Sequence, residues 1–392
     1  MLTRIKRKIA IFGATGNIGI QTINVVSHLD SFVITAITGH NQHSKLIEQC
    51  RQLKPQYVAL EKEACIESIQ MLTAATETLY YGKNALADLA RLANYDIAVF
   101  ATVGIYGLGA LIEAIKRGKR ICLANKESLV VAGDILLPLA KQYGAELIPI
   151  DTEHSAMFQC LQGEPVESIS KIILTCSGGP FLNVDEDKMN VATVQQSLKH
   201  PTWNMGPTIS IESATLINKG FEVIEAHHLF DMPYQKIEVI IHPESIVHSC
   251  IEFVDGNIKA VLSKADVGIA IQYALTYPDR AAFPNHFKQF NAIGTLSFIK
   301  PNVKKFPLLA LAYQVGKRGG LHPTVLNAAN EVAVNAYLAG YISFGMMARV
   351  IKKTINLFRL TIDDLPVNES SIVSLDASVK AATTKLLDEI RI

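Results

Sequence analysis

Asp151 and Glu153 stand two residues apart, directly after an apolar run, Glu146–Ile150, that reads as a β-strand. If extended backbone continued through them, both carboxylates would point to one side at the carboxyl end of a sheet. Open α/β sheets take their ligands at that end. Two hard oxygen donors with no cysteine beside them suit Mg²⁺ or Mn²⁺ better than zinc. The same pair reads equally well as an acidic helix N-cap. A third carboxylate, Glu222, lies in a stretch of helical periodicity, Ser213–Phe230, with Leu216, Ile217, Phe221 and Ile224 as its apolar positions. Asn218 and Lys219 precede Glu222 by four and three residues, so the three can share a helix face. That face is either part of a site or a solvated Lys–Glu pair.

A glycine-rich turn follows the first apolar run: Gly13-Ala14-Thr15-Gly16-Asn17-Ile18-Gly19. Glycines let a backbone turn tightly and approach a pyrophosphate, whose charge a helix amino terminus favours. The spacing is GxxGxxG rather than GxGxxG, so its place after the first strand carries the dinucleotide reading. At the end of the second strand the chain reads Thr38-Gly39-His40-Asn41, with no carboxylate among them. NAD enzymes usually place an acid there to hold the ribose 2′-hydroxyl, so NADPH is the expected cofactor.

Two further segments have the composition of binding loops. Ser177-Gly178-Gly179 follows a strand and could cradle a phosphate with backbone N–H groups and a hydroxyl, or be a plain glycine turn. His200-Pro201-Thr202-Trp203-Asn204-Met205-Gly206 holds the one Trp of the chain in a turn-rich setting. It is read as a mobile cover over a ligand or, alternatively, as a Trp anchored in a core.

The elements that must position these residues follow from periodicity. Short β-rich runs (Lys8–Phe12, Phe32–Thr38, Tyr57–Leu60, Thr78–Tyr81, Ile97–Phe100, Arg120–Leu123, Glu146–Ile150) alternate with helical stretches such as Ile18–Leu29, Leu108–Arg117 and Gly133–Tyr143. Such alternation predicts a mostly parallel, Rossmann-like sheet with helices on both faces. Beyond residue 150 the strands Lys171–Cys176, Ile237–His242, His248–Val254 and Ile258–Leu262 are expected, the last two joined through Asp255-Gly256, a hairpin signal. A proline-rich stretch, Tyr277–Pro307, reads as a long connection, followed by helices over Leu308–Gly316, Pro323–Leu338, Phe344–Phe358 and Ala377–Ile390.

At 392 residues, two or three domains are expected. The net charge of +1 gives no electrostatic reason to expect nucleic acid, and the densest basic run, Arg4–Lys8, simply precedes the first strand. No stretch approaches the ~20 apolar residues of a membrane span, and the apolar run at Ile9–Phe12 is too short for a signal peptide. The six cysteines lack any CxxC pair and read as buried thiols of a cytoplasmic protein. Asn368-Glu369-Ser370 matches a glycosylation sequon by chance.

Taken in order, GATGNIG, ANKESLV, DTEHSAMFQ, SGGPF, HPTWNMG, SATLINKGFEVIEA, HPESIVHS and LNAANEVAV resemble the 1-deoxy-D-xylulose 5-phosphate reductoisomerase family along nearly the whole chain. The resemblance implies an α/β protein with an N-terminal Rossmann-like NADPH-binding domain (1–150) and an α+β catalytic, metal-binding domain with a flap (151–285). A linker (286–307) and a C-terminal helical domain (308–392) follow. It implies a homodimer that converts 1-deoxy-D-xylulose 5-phosphate to 2-C-methyl-D-erythritol 4-phosphate, by metal-assisted rearrangement and NADPH reduction, in isoprenoid biosynthesis. Asp151, Glu153 and Glu222 fall at metal-ligand positions and, with Lys126, at catalytic ones. Lys126, Thr152, Glu153, Ser177, His200, Trp203, Ser213, Asn218, Lys219 and Glu222 fall at substrate positions. Gly13, Thr15, Gly16, Asn17, Ile18, Gly39, His40, Asn41, Asn125, Glu127 and Gly206 fall at cofactor positions. Trp203 and Met205 lie in the flap. The chain departs from the family pattern at His40 (commonly Lys), Thr152 (Ser), Cys176 (a small residue), Thr208 (a basic residue) and Glu212 (Asp).

Two other readings are weighed against this one. A simpler NADPH dehydrogenase would need no metal, and the three carboxylates argue against it. A dinucleotide sensor would bind NADPH without turnover.

Overall fold

Runs of four to eight residues, mostly aliphatic and buried on both faces in the strands away from the sheet edges, build the first sheet of the computed structural model, which describes residues 6–61, 65–285 and 289–390. The strands are β1 (Arg7–Phe12), β2 (Phe32–Gly39), β3 (Tyr57–Leu60), β4 (Thr78–Tyr81), β5 (Ile97–Phe100), β6 (Arg120–Leu123) and β7 (Glu146–Pro149). Their order is β4-β3-β2-β1-β5-β6-β7, and every neighbouring pair is parallel. The order reverses direction at β1, so the loops after β1 and β5 diverge to opposite faces and leave a crevice at their carboxyl ends. Ile9, Ala10, Ile11, Ile97, Ala98 and Val99 are wholly buried at this centre.

The chain divides into two compact units. The first comprises Met1–Ser128, Leu136–Ser155 and Asp266–Pro284. It therefore includes the helix Val267–Thr276, which packs on the helix Asn17–Ser27. Arg120 ties the end of that later helix to the sheet, its Nη1 donating to the carbonyls of Leu275 (3.3 Å) and Tyr277 (2.5 Å).

The second unit comprises Leu129–Ile135, Ala156–Ala265 and Asn285–Ile392. Its sheet holds β8 (Ile169–Cys176), β9 (Ile237–Ile241), β10 (Val247–Phe253) and β11 (Ile258–Leu262) in the order β11-β10-β8-β9. β10 runs antiparallel to β8 and β11, while β8 and β9 are parallel. The Asp255-Gly256 hairpin forms as expected, with Gly256 at φ 85°. The helices Pro307–Arg318, His322–Leu338, Phe344–Phe358 and Glu369–Ile390 complete this unit. His322–Leu338, buried along most of its length, contacts each of the other three.

Most sequence-derived bounds hold within a residue or two, and the departures have local causes. β7 ends at Pro149, and Asp151 turns the chain into the helix Thr152–Cys160, its carbonyl accepting from Ser155 N (2.8 Å). The alternation that would aim Asp151 and Glu153 to one side therefore does not apply. The expected single helix over Ser213–Phe230 is two, Pro207–Ala214 and Ile217–Phe230. Leu216, buried and left-handed at φ 58°, makes the break. The helix expected at Gly133 begins at Lys126, and the last begins at Glu369. All six cysteines are free, but Cys65 is exposed and Cys176 half-buried, so the buried reading holds for the other four. Within the expected linker, 286–288 lie outside the described residues, as does the start of the basic run at 4–5. Among the described residues no helix is long and apolar enough to cross a membrane.

Candidate active site

In the first unit the glycine turn is built as a close backbone approach. Gly13 has φ 89°, and a Cβ placed on it would lie 2.5 Å from the carbonyl oxygen of Ala101 after β5. Its N–H donates to Thr38 Oγ1 (2.9 Å) and Ala14 N to Thr38 O (2.9 Å), pinning the turn to the end of β2. Gln49 Nε2 holds Ala14 O from outside at 2.9 Å. The helix Asn17–Ser27 then starts at Gly16 with no side-chain cap and no acid in its first turn. An uncapped N-terminus fits an anion such as a pyrophosphate. Gly13, Thr15, Gly16, Asn17 and Ile18 thus surround one helix start, and Gly39, His40 and Asn41 follow the adjacent strand. His40 Nδ1 lies 3.7 Å from Glu61 Oε2.

The loop after β6 belongs to the same unit. Asn125 caps the helix Lys126–Tyr143, accepting from Ser128 N (3.1 Å) and from Ser128 Oγ. Its amide donates to the carbonyls of Thr102 and Gly104 and to Glu127 Oε2, each at 2.9 Å. This strut fixes Lys126, whose buried ammonium pairs with Asp151 Oδ2 at 2.5 Å. Thr152 Oγ1 donates to Glu153 Oε2 (2.7 Å). Asp151 just before the helix and Glu153 in its first turn also complement the positive end of the helix dipole.

In the second unit the left-handed Leu216 re-aims the chain, and Thr215 secures the corner by donating to Glu212 O (3.1 Å) and accepting from Ile217 N (3.4 Å). The following helix buries its polar group: Lys219 is 3% and Glu222 1% exposed. Glu222 accepts from Lys219 Nζ (2.5 Å) and from Asn218 Nδ2 (2.6 Å). The solvated-pair reading is therefore excluded. Gly220 earns its place mid-helix by packing, since a Cβ there would lie 2.4 Å from that of Ala312.

Ser177-Gly178-Gly179 follows β8 with both glycines left-handed, at φ 85° and 67°. A Cβ on Gly179 would lie 2.9 Å from Ser213 O, so this loop rests on the corner that carries Ser213. Ser177 Oγ accepts from Gly179 N (3.1 Å) and meets His200 Nε2 at 2.9 Å. His200 Nδ1 accepts from the backbone N–H of Thr202 (3.2 Å) and Trp203 (2.9 Å), so Nε2 carries the proton and donates to Ser177. Trp203 is half-buried, not a core residue, with its ring 6.1 Å from that of His248. Gly206 precedes the helix Pro207–Ala214 as its N-cap.

Burial pushes the His200 pKa down to about 4, which keeps the ring neutral. The unfolded side chain titrates near 6.5, so between these values the unfolded state binds the extra proton and stability rises with pH. This contribution is complete above pH ~6.5 and is lost as pH falls toward about 4. The thermal midpoint should drop as pH is lowered from 7 to 5, and more shallowly in His200→Gln. His228, also held near 4 chiefly by burial, keeps part of the slope. An unchanged slope in the variant would show that His200 does not titrate differently on folding.

Two acidic residues carry no role in the motif reading: Glu212, which enters it only as a departure from the family pattern, and Glu61, which lies outside the motifs. Glu212, beside Ser213, is buried and accepts from Asn330 Nδ2 (2.7 Å), which reaches it from the helix His322–Leu338. Glu61 directly follows β3, one strand beyond the position where a dinucleotide site usually carries its acid. An acidic residue straight after the third strand is the signal that would have found it.

The carboxylates of Asp151 and Glu153 in the first unit and of Glu222 in the second are candidate metal ligands. An all-oxygen donor set fits Mg²⁺ or Mn²⁺.

Comparison with known proteins identifies the family and agrees with the fold. The family model for 1-deoxy-D-xylulose 5-phosphate reductoisomerase matches residues 9–133, that for its C-terminal domain 147–230, and that for the DXP reductoisomerase C-terminal domain 262–382. The reductoisomerase of Caldanaerobacter subterraneus subsp. tengcongensis is 45% identical over 365 residues, 92% of this chain and 95% of that one. That of Chlorobium chlorochromatii is 44% identical over 350 residues, 89% of this chain and 92% of its own. A crystal structure of DOX-P reductoisomerase with NADPH, fosmidomycin and magnesium superposes with a TM-score of 0.92 at 36% identity, covering 98% of this chain and 99% of that one. The Zymomonas mobilis enzyme with NADPH gives 0.89 at 32%, covering 97% and 99%. The resemblance carried by the motifs is thereby established: the chain belongs to the 1-deoxy-D-xylulose 5-phosphate reductoisomerase family.

Proposed function

We propose that this protein converts 1-deoxy-D-xylulose 5-phosphate to 2-C-methyl-D-erythritol 4-phosphate as an NADPH- and metal-dependent reductoisomerase of non-mevalonate isoprenoid synthesis. Family membership along about nine-tenths of the chain is the observation that carries this reading. When bound, the divalent ion supplies electrophilic polarisation of the substrate oxygens and NADPH supplies the hydride. Asp151, Glu153 and Glu222 are its proposed ligands.

The protein's own groups position and enclose. Lys126, held by the Asn125 strut, contributes a fixed positive charge beside Asp151. Ser177, His200, Ser213, Asn218 and Lys219 offer hydroxyl, N–H and ammonium donors to a phosphate or to substrate hydroxyls, while Thr152 and Glu153 lie against the reacting end. The neutral His200 is suited to orient Ser177 by donation rather than to act as a cation. Gly13 to Ile18, Gly39 to Asn41, Asn125, Glu127 and Gly206 are the proposed cofactor contacts, and Trp203 with Met205 the cover that excludes water. The functional parts are taken as 1–150 for NADPH, 151–285 for catalysis, 286–307 as connection and 308–392 as helical support. A cytoplasmic homodimer completes the proposal, and light scattering at twice the chain mass checks its oligomeric part.

The deciding experiment follows NADPH absorbance with deoxyxylulose phosphate, with and without Mg²⁺. Oxidation that needs both substrate and metal is expected. Metal-independent oxidation would favour the simple dehydrogenase, and binding without turnover the sensor.

Because Trp203 is the one Trp in the sequence, its emission reports the flap directly. Binding of substrate or a phosphonate mimic should shift or quench it, and Trp203→Ala should slow turnover with the thermal midpoint retained. A spectrum unmoved at saturating ligand would take Trp203 out of the cover.

A further inference from the structure

The carboxyl ends of β2 and β3 carry a pair of side chains that the reading of the glycine turn leaves unused. Gly39 and Leu60 are register partners, so the next residue of each strand, His40 and Glu61, emerges side by side. Their facing atoms, Nδ1 and Oε2, are 3.7 Å apart, too long for a hydrogen bond. Both atoms are shielded, and neither has a hydrogen-bond partner among the described residues. Tyr106, from the loop after β5, lies against the His40 ring at 4.8 Å and is itself 58% exposed. The group therefore lines the same strand ends as the glycine turn, where a dinucleotide's adenosine ribose lies.

A carboxylate in that place accepts a hydrogen bond from a ribose 2′-hydroxyl and repels a 2′-phosphate. His40 works the other way, since its imidazole donates to a phosphate. Burial raises the Glu61 pKa and the neighbouring His40 opposes that rise, so the acid is partly desolvated without a fixed cation to neutralise it.

We infer that Glu61 is a specificity-determining residue that lowers the preference of this protein for NADPH over NADH, by serving as acceptor for a ribose 2′-hydroxyl beside His40. This rests on the dinucleotide reading of the proposed function. It makes discrimination at this site narrow: the acid supports NADH, the histidine supports NADPH, and neither excludes the other cofactor.

Calorimetric titration of the intact protein with NADPH and with NADH, without substrate, tests the assignment. Glu61→Gln should tighten NADPH about two- to tenfold, the range of a partly exposed charge interaction, and weaken NADH by a similar or larger factor. Glu61→Ala, which removes the acceptor together with its charge, should raise the NADPH:NADH affinity ratio in the same direction. It decides the matter if Glu61→Gln fails to fold. Both affinities staying within twofold of the parent in a folded Glu61→Gln overturns the inference alone. A parent protein that binds neither nucleotide overturns the dinucleotide reading and the inference together.

Discussion

Replacing Glu222 by glutamine is expected to lower turnover by at least about 10–100-fold, the range seen even for outer-shell partners of a metal centre. Raising Mg²⁺ should restore part of the loss, and NADPH affinity should stay close to that of the parent. A second loss comes from the fold itself. Lys219 and Glu222 are 3% and 1% exposed and meet at 2.5 Å, so the variant leaves an ammonium buried without its carboxylate. Removing one member of a buried ion pair costs on the order of 3–5 kcal/mol. The thermal midpoint should therefore fall as well, and activity alone cannot assign the role. The double variant Lys219→Met/Glu222→Gln separates the two effects, because neutralising both members of a buried pair restores most of the stability. Because Lys219 is itself a proposed substrate contact, the readout for the double variant is Mg²⁺ binding rather than turnover. If Glu222 holds metal, the double variant melts near the parent but binds Mg²⁺ at least about 10-fold more weakly. Parent-like Mg²⁺ binding along with recovered stability would reduce Glu222 to a structural role.

Gly13→Ala should cost both stability and cofactor binding. The residue sits at φ 89°, and the added methyl would lie 2.5 Å from Ala101 O and 2.8 Å from its carbon, both backbone atoms. A left-handed non-glycine residue costs about 1–3 kcal/mol, and overpacking a tight contact adds about 1–3 kcal/mol more. Relief requires the turn to move off the loop after β5, carrying the start of the helix Asn17–Ser27 with it. NADPH binding should weaken by well over tenfold. Gly144→Ala is the control: that glycine is left-handed too, at φ 66°, but a Cβ there meets nothing within 4 Å. It should lower the thermal midpoint modestly and leave NADPH binding unchanged. Equal NADPH affinity in the two variants would remove the glycine turn from the cofactor site.

Local pattern decided much of this protein. Runs of four residues such as Tyr57–Leu60, Ile97–Phe100 and Arg120–Leu123 were legible as strands to the residue, because a strand bounded by turn residues and buried on both faces leaves its mark in composition. The glycine turn was legible for a related reason, since only glycine tolerates the close approach that Gly13 makes. The candidate metal ligands were legible as residue types, although the strand alternation used to pair Asp151 with Glu153 failed where β7 gave way to a helix.

Tertiary structure alone decided the rest. Periodicity ran unbroken through Ser213–Phe230, and nothing in it marked Leu216 as left-handed, because buried contacts on both sides hold that residue in a conformation its own propensity disfavours. The same periodicity put Lys219 and Glu222 on one helix face without saying whether water covers it. What packs around that helix comes from residues distant in the chain, among them Ala312 against Gly220. His40 and Glu61 are 21 positions apart in the sequence, and only the parallel register of β2 with β3 sets them side by side. Sequence thus determined the element types, the turn chemistry and the kinds of donor available. Burial and the meeting of distant groups depend on long-range packing, which no local window contains.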